Sequence, residues 1–234
     1  MSEDNLTSSA TESTPTGVPV PAIPWQVTGN HWLALPCIHP GDASIHAVGL
    51  LHRGARAAVE FAGHADLVQG QGPALARPRL VVDGQAVALG SGRIAWERAL
   101  HWLPTFTAQV GDLLVRGTIF APFGQDADMA GAVYAMALEN RGSVPHTIDV
   151  GLEVTLGHRQ IRVRTPRPAE DAHRITRSAH DVVLLDGAAV PGVVALAIAA
   201  DGEAVVQVGE GATPTYALTR RVTLAPGERA EVAF

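Results

Sequence analysis

Ten histidines in 234 residues are enough for a metal centre or a proton-transfer pair, so their spacing is the first thing to weigh. His39 and His46 flank a turn, His52 and His64 sit at either end of a strand pair, and His173 and His180 bracket a polar stretch. No His-x-His ligand pair occurs, and surface or hydrogen-bonded scaffold positions account for most of the ten. Asp126 and Asp128 form an Asp-x-Asp in the loop after Pro122, where carboxylates hold a hard cation such as calcium. Two ligands fall short of a site, a solvated loop explains the pair, and no metal or cofactor is expected. Arg159, Arg162, Arg164 and Arg167 crowd nine residues, with Ile161 and Val163 facing away from Arg162 and Arg164. That pattern fits a patch for an anionic sugar, a phosphate or an acidic partner surface, and it fits a solvated strand face better.

Composition removes several classes of chemistry. All 17 basic residues are arginine, so there is no lysine for a Schiff base and none for a phosphate-binding loop. With the abundance of Ala, Gly and Pro this reflects a coding bias towards G and C. Gly70-x-Gly72 precedes no helix and is not a dinucleotide fingerprint. A formal charge of -6 argues against nucleic acid as a partner, because counterion release needs a basic surface. No run is apolar and long enough to span a membrane as a helix, which takes about 20 residues, so a soluble, non-membrane protein is expected. Cys37 is alone, which excludes an intramolecular disulfide and fits a reducing, cytoplasmic setting.

The elements that must position any site are strands. Ile148, Val150, Leu152, Val154 and Leu156 alternate with Thr147, Asp149, Gly151, Glu153 and Thr155, which puts one set on a buried face and the other in water. Residues 133–139 are apolar on both faces, as in a central strand, and residues 113–120 form another strand before the Pro122 loop. Asp83-Gly84 and Asp201-Gly202 each separate two apolar runs and predict tight hairpins, and Asp186-Gly187 has the same form. Ile94, Trp96, Leu100 and Trp102 fall on one strand face. Residues 216–224, a Pro226-Gly227-Glu228 turn and residues 230–234 predict a last hairpin. No window carries helical spacing with start and stop signals. The chain therefore reads as all-β, a large two-sheet antiparallel β-sandwich over residues 25–234 as a single domain. Residues 1–24, rich in Ser, Thr and Pro, read as a disordered tail.

Residues 115–122 (VRGTIFAP), 134–141 (YAMALENR), 150–154 and the 222–234 stretch resemble the N-terminal β-supersandwich of glycoside hydrolases and disaccharide phosphorylases, a galactose-mutarotase-like fold. In that family the catalytic carboxylates lie on an (α/α) barrel after the sandwich, and this sequence has no helices to match. The resemblance thus implies a non-catalytic domain that binds carbohydrate or packs on a protein partner. A second implication is a small aldose-epimerase-like enzyme with a His and a carboxylate on a concave sheet, flanking one sugar carbon as general acid and base. Glu153 and His158 are the candidates for that pair, with Glu139 and His101 behind them, although Glu153 equally suits plain solvent exposure. Trp96 and Trp102 would make a sugar-stacking platform, or, sharing an apolar face, belong to the core. Oligomeric state is left open.

Overall fold

A computed structural model of the chain describes residues 25–26, 29–30, 33–52, 57–62, 74–101, 103–129, 131–155, 159–161, 173–177, 183–187, 195–209 and 215–234. The first strands are β1 (Trp25–Gln26), β2 (Leu33–Ile38), β3 (Ile45–His52), β4 (Ala57–Ala62), β5 (Ala76–Val82) and β6 (Gln85–Val87). Then come β7 (Ile94–Ala99), β8 (Leu103–Val110), β9 (Leu113–Phe120), β10 (Val133–Asn140), β11 (His146–Thr155) and β12 (Arg159–Ile161). The remainder are β13 (His173–Arg177), β14 (Val183–Gly187), β15 (Ala195–Ile198), β16 (Val205–Gly209), β17 (Thr215–Leu224) and β18 (Arg229–Ala233). The helical elements among the described residues are two single 3-10 turns, Leu89–Ser91 and Gly124–Asp126. None of them is long and apolar enough to cross a membrane.

The larger sheet has ten strands on the path β1-β2-β3-β5-β11-β17-β16, with β4, β6 and β12 off it; the smaller runs β18-β10-β9-β8-β7. Strands β13, β14 and β15 pair among themselves. The pairings are antiparallel throughout both main sheets. One core cluster joins the two. From β11 come Ile148, Val150, Leu152 and Val154, all 4% exposed or less, while Glu153 and Thr147 face water. Fully burying such a side chain is worth about 1.5–3 kcal/mol, which is why the period-two pattern decides the face. Leu156, the fifth member of the run, lies outside the described residues. The smaller sheet answers with Phe106 and Ala108 of β8, Val115 and Ile119 of β9, and Tyr134, Met136 and Leu138 of β10. Phe106 lies flat over Gly117, where an added Cβ would meet the ring at 2.1 Å, so the close approach depends on glycine.

The turns divide the expectations. Asp83-Gly84 joins β5 to β6 with φ of 49° and 82°, the geometry a two-residue hairpin demands. Asp201-Gly202 makes no hairpin, because β15 pairs with β14 and β16 with β17. Asp186 and Gly187 continue β14 opposite Arg174 and His173. Leu100 stands in the β7–β8 turn at 69% exposure, off the strand face that Ile94 and Trp96 share. The expected last hairpin is a crossing between sheets: β17 pairs with β11 and β16, whereas β18 pairs with β10.

Asn140 holds that crossing. Its side chain is fully buried and donates from Nδ2 to the carbonyls of Leu224 (3.0 Å) and Val144 (2.7 Å), and its Oδ1 accepts from the Gly142 N–H (2.9 Å). Its main chain takes the Gly227 N–H and donates to Glu228 O. Three of these five hydrogen bonds, to Leu224, Gly227 and Glu228, tie the end of β10 to the crossing, and the other two close the β10–β11 loop.

Candidate binding cleft on the five-stranded sheet

The smaller sheet's outward face carries two rows of short side chains. Register places Glu97, Thr105, Thr118, Ala135 and Ala233 in one row across β7, β8, β9, β10 and β18. The next row is Ala95, Thr107, Arg116, Ala137 and Glu231. Four inter-strand spacings of about 4.8 Å make this strip roughly 19 Å long. Threonines and alanines make up most of both rows, with Glu97 and Glu231 at opposite edges and Arg116 in the middle of the second, and they leave a cleft of about 360 Å³. Asp201 completes the rim from the segment before β16: its N–H donates to Ala233 O at 3.0 Å, and its carboxylate pairs with Arg220. The lining offers hydroxyls as donors and acceptors, carboxylates as acceptors and one guanidinium as donor.

Along one side of the cleft Glu139 collects three arginines. Arg229 Nη2 lies 2.8 Å from Oε2 and Arg116 Nη1 3.3 Å from the same atom, while Arg141 Nε lies 3.0 Å from Oε1. Glu139 faces Arg229 directly across the β10–β18 ladder, and Arg116 reaches it from the neighbouring row. Hydrogen bonds from Arg141 and Arg229 hold the Glu139 carboxyl below its ordinary pKa.

A second polar cluster lies at the β2–β3 turn. Asp42 Oδ1 accepts from Ser44 N–H (3.0 Å) and Ser44 Oγ–H (2.5 Å), and its Oδ2 sits 3.4 Å from Arg77 Nε. Since Ser44 gives its proton to an ionised carboxylate, its oxygen must accept from His46 Nε2, 3.1 Å away. His46 is therefore the Nε2–H tautomer, and its buried Nδ1 is an acceptor with no partner among the described residues. Burial, then the adjacent His39, holds its pKa below the ordinary histidine value. His39 stacks on it, 5.2 Å between centroids and 6° between planes. The smaller sheet clamps this turn: Trp96 Nε1 donates to Pro40 O (2.8 Å) and Tyr134 Oη to Ala43 O (2.9 Å). Burial, with the Asp42 charge adding to it, pushes the Tyr134 hydroxyl well above its usual pKa. His39, Asp42 and His46 offer ligand atoms within 4.8 Å of one another. The Asp42 carboxylate among them is already engaged by Ser44 and Arg77.

The residues singled out in the sequence are scattered. Glu153 is exposed on the outer face of the larger sheet, between Arg77 and Ala217, on the far side of the core from the cleft. Trp96 is half-buried against Phe106, with its Nε1 spent on Pro40. Asp126 and Asp128 are exposed around the second 3-10 turn, and His101 is exposed in the β7–β8 turn. His158, Trp102, Arg162 and Arg164 lie outside the described residues. Of the residues weighed in the sequence, Glu139 is the one that stands beside the cleft. The lining threonines and alanines carried no spacing signal, because they meet only through cross-strand register; the Asp42 cluster is local, within residues 39–46, and of it only His39 and His46 stood out in the sequence.

No family model matches this chain, and no curated protein does either. Solved structures do match, 22 chains in all. One is described as "Putative kojibiose phosphorylase from human microbiome", 11% identical, with a TM-score of 0.47 over 90% of this chain. The match takes in 33% of that protein, so this chain spans about a third of its length.

Proposed function

We propose that this chain is a non-catalytic carbohydrate-binding module and that the cleft on the five-stranded sheet is its binding surface. The observation that carries the reading is the lining itself, in which Thr105, Thr107 and Thr118 set hydroxyls in two rows between Glu97, Glu231 and Arg116. A sugar presents alternating hydroxyl donors and acceptors on a ring with apolar C–H faces. Threonine hydroxyls and ionic ends meet the first, and the Ala135 and Ala137 methyls meet the second. Each net hydrogen bond contributes about 0.5–1.5 kcal/mol, so affinity is spread over several contacts. The reading agrees with what the resemblance of residues 115–122 and 134–141 implies.

The test is titration calorimetry with a panel of oligosaccharides against the wild type and Ala137→Trp. The indole fills the cleft from an outward-facing position and leaves the core untouched, so binding is expected to vanish while the melting temperature holds. Saccharide binding that survives Ala137→Trp would move the site elsewhere. Anomeric interconversion of aldoses above the buffer rate, followed by NMR, would overturn the non-catalytic reading.

A further inference from the structure

We infer that the carbohydrate taken by this cleft is acidic, and that Arg116, Arg141 and Arg229 form the subsite for its oxyanion. The inference rests on the carbohydrate reading and adds the ligand's charge. Three guanidiniums converge on Glu139, one carboxylate, which balances one of their three charges. Their side chains are 48%, 49% and 57% exposed, whereas Glu139 is 19% exposed, so the cations stand outward of the anion that gathers them. Each guanidinium has five N–H donors in a fixed planar geometry, and each gives one of them to Glu139, which leaves others for a second acceptor. An arriving carboxylate, sulfate or phosphate group accepts such donors in pairs. Other carboxylates stand near: Glu97 and Glu231 line the cleft, as does Asp201, which is paired with Arg220, and Asp112 accepts the Arg141 main-chain N–H through its carbonyl. None of these carboxylates touches the three guanidinium groups, which Glu139 alone reaches among the described residues. Arg116 also lines the cleft, so an oxyanion held here sits beside the threonine rows and not apart from them.

The experiment compares a uronate oligosaccharide with its carboxyl-reduced neutral counterpart, together with a sulfated oligosaccharide, free glucuronate and inorganic phosphate. The full chain is titrated at about 50 mM and about 500 mM salt, where the screening lengths differ about threefold. The acidic oligosaccharides are expected to bind at least tenfold more tightly than the neutral one at low salt, with the gap closing at high salt. Arg229→Gln and Arg141→Gln should each reduce the acidic preference severalfold without altering the neutral affinity. Glu139→Gln should increase it, since the competing anion is gone; a purely structural ion cluster would not respond in that direction. Equal affinity for the acidic and reduced forms overturns the inference and leaves the carbohydrate reading standing. Binding of glucuronate and phosphate with no gain from an attached oligosaccharide overturns the carbohydrate reading and leaves an anion site. No binding of any probe overturns both.

Discussion

The outer face of the five-stranded sheet and the turn at residues 39–46 both gather charge around one carboxylate, and they handle it in opposite ways. At Glu139 three arginines stand half in water, and their hydrogen bonds are made on an open surface. Asp42 is itself 31% exposed, but Ser44, which bonds it, and His46, which bonds Ser44, are 0% and 1% exposed, and Trp96 and Tyr134 close the turn from the other sheet. Water screens and replaces the first network, so its stabilising value is small and its donors are available to a ligand. In the second, water does not reach Ser44 and His46 to replace a lost partner, so the turn serves stability.

The largest effect should come from cutting the sealed chain at its end. Asp42→Ala strips Ser44 Oγ of its acceptor and the Ser44 N–H of its cap, and about 1–3 kcal/mol of stability should be lost in urea denaturation. A loss no larger than that of an exposed alanine substitution would erase the distinction between the two regions.

Acidification tests the same turn through His46. The unfolded imidazole titrates near the ordinary histidine value of 6.5, and burial holds the folded one lower. Below about pH 6.5 the unfolded chain binds a proton that the folded chain refuses, so the stability this group contributes is complete above that pH and drains away as pH falls. Denaturation midpoints of the wild type and His46→Gln, measured from pH 7.5 to 5, should diverge with the wild type falling more steeply. Parallel curves would mean that the ring is not held neutral.

The smallest effect belongs to the open network. Glu139→Gln, whatever it does to ligands, should shift the melting temperature by no more than about 2 °C, because exposed ion pairs contribute little. A shift as large as that of Asp42→Ala would show that the arginine cluster is structural.

What the sequence discloses follows the same division. The alternation in β11 is decided within ten consecutive residues, and the Asp83-Gly84 hairpin within two, so both are legible from local order. Pro226-Gly227 announces a turn but not which sheet receives the next strand, since that depends on Asn140, more than 80 residues earlier. The cleft is illegible for a related reason: Thr105, Thr118 and Ala135 become neighbours only when three ladders are in register. At the β2–β3 turn the signal is weaker still. Ala43 takes a φ of 56°, a conformation that alanine does not advertise, and it turns Ser44 and His46 towards Asp42.

Asn140 also bears on how the molecule comes together in time. Its amide cannot be satisfied by neighbours in the chain alone, for Leu224 is 84 residues away, and until that partner arrives the end of β10 carries an unpaid polar group into the apolar interior. Pairings at such separation close large loops before they return any energy, and so belong late in assembly. With the shared core and the Trp96 and Tyr134 bonds to the β2–β3 turn, this junction makes each sheet depend on the other, and melting should pass through a single cooperative transition with neither layer persisting after the other has gone.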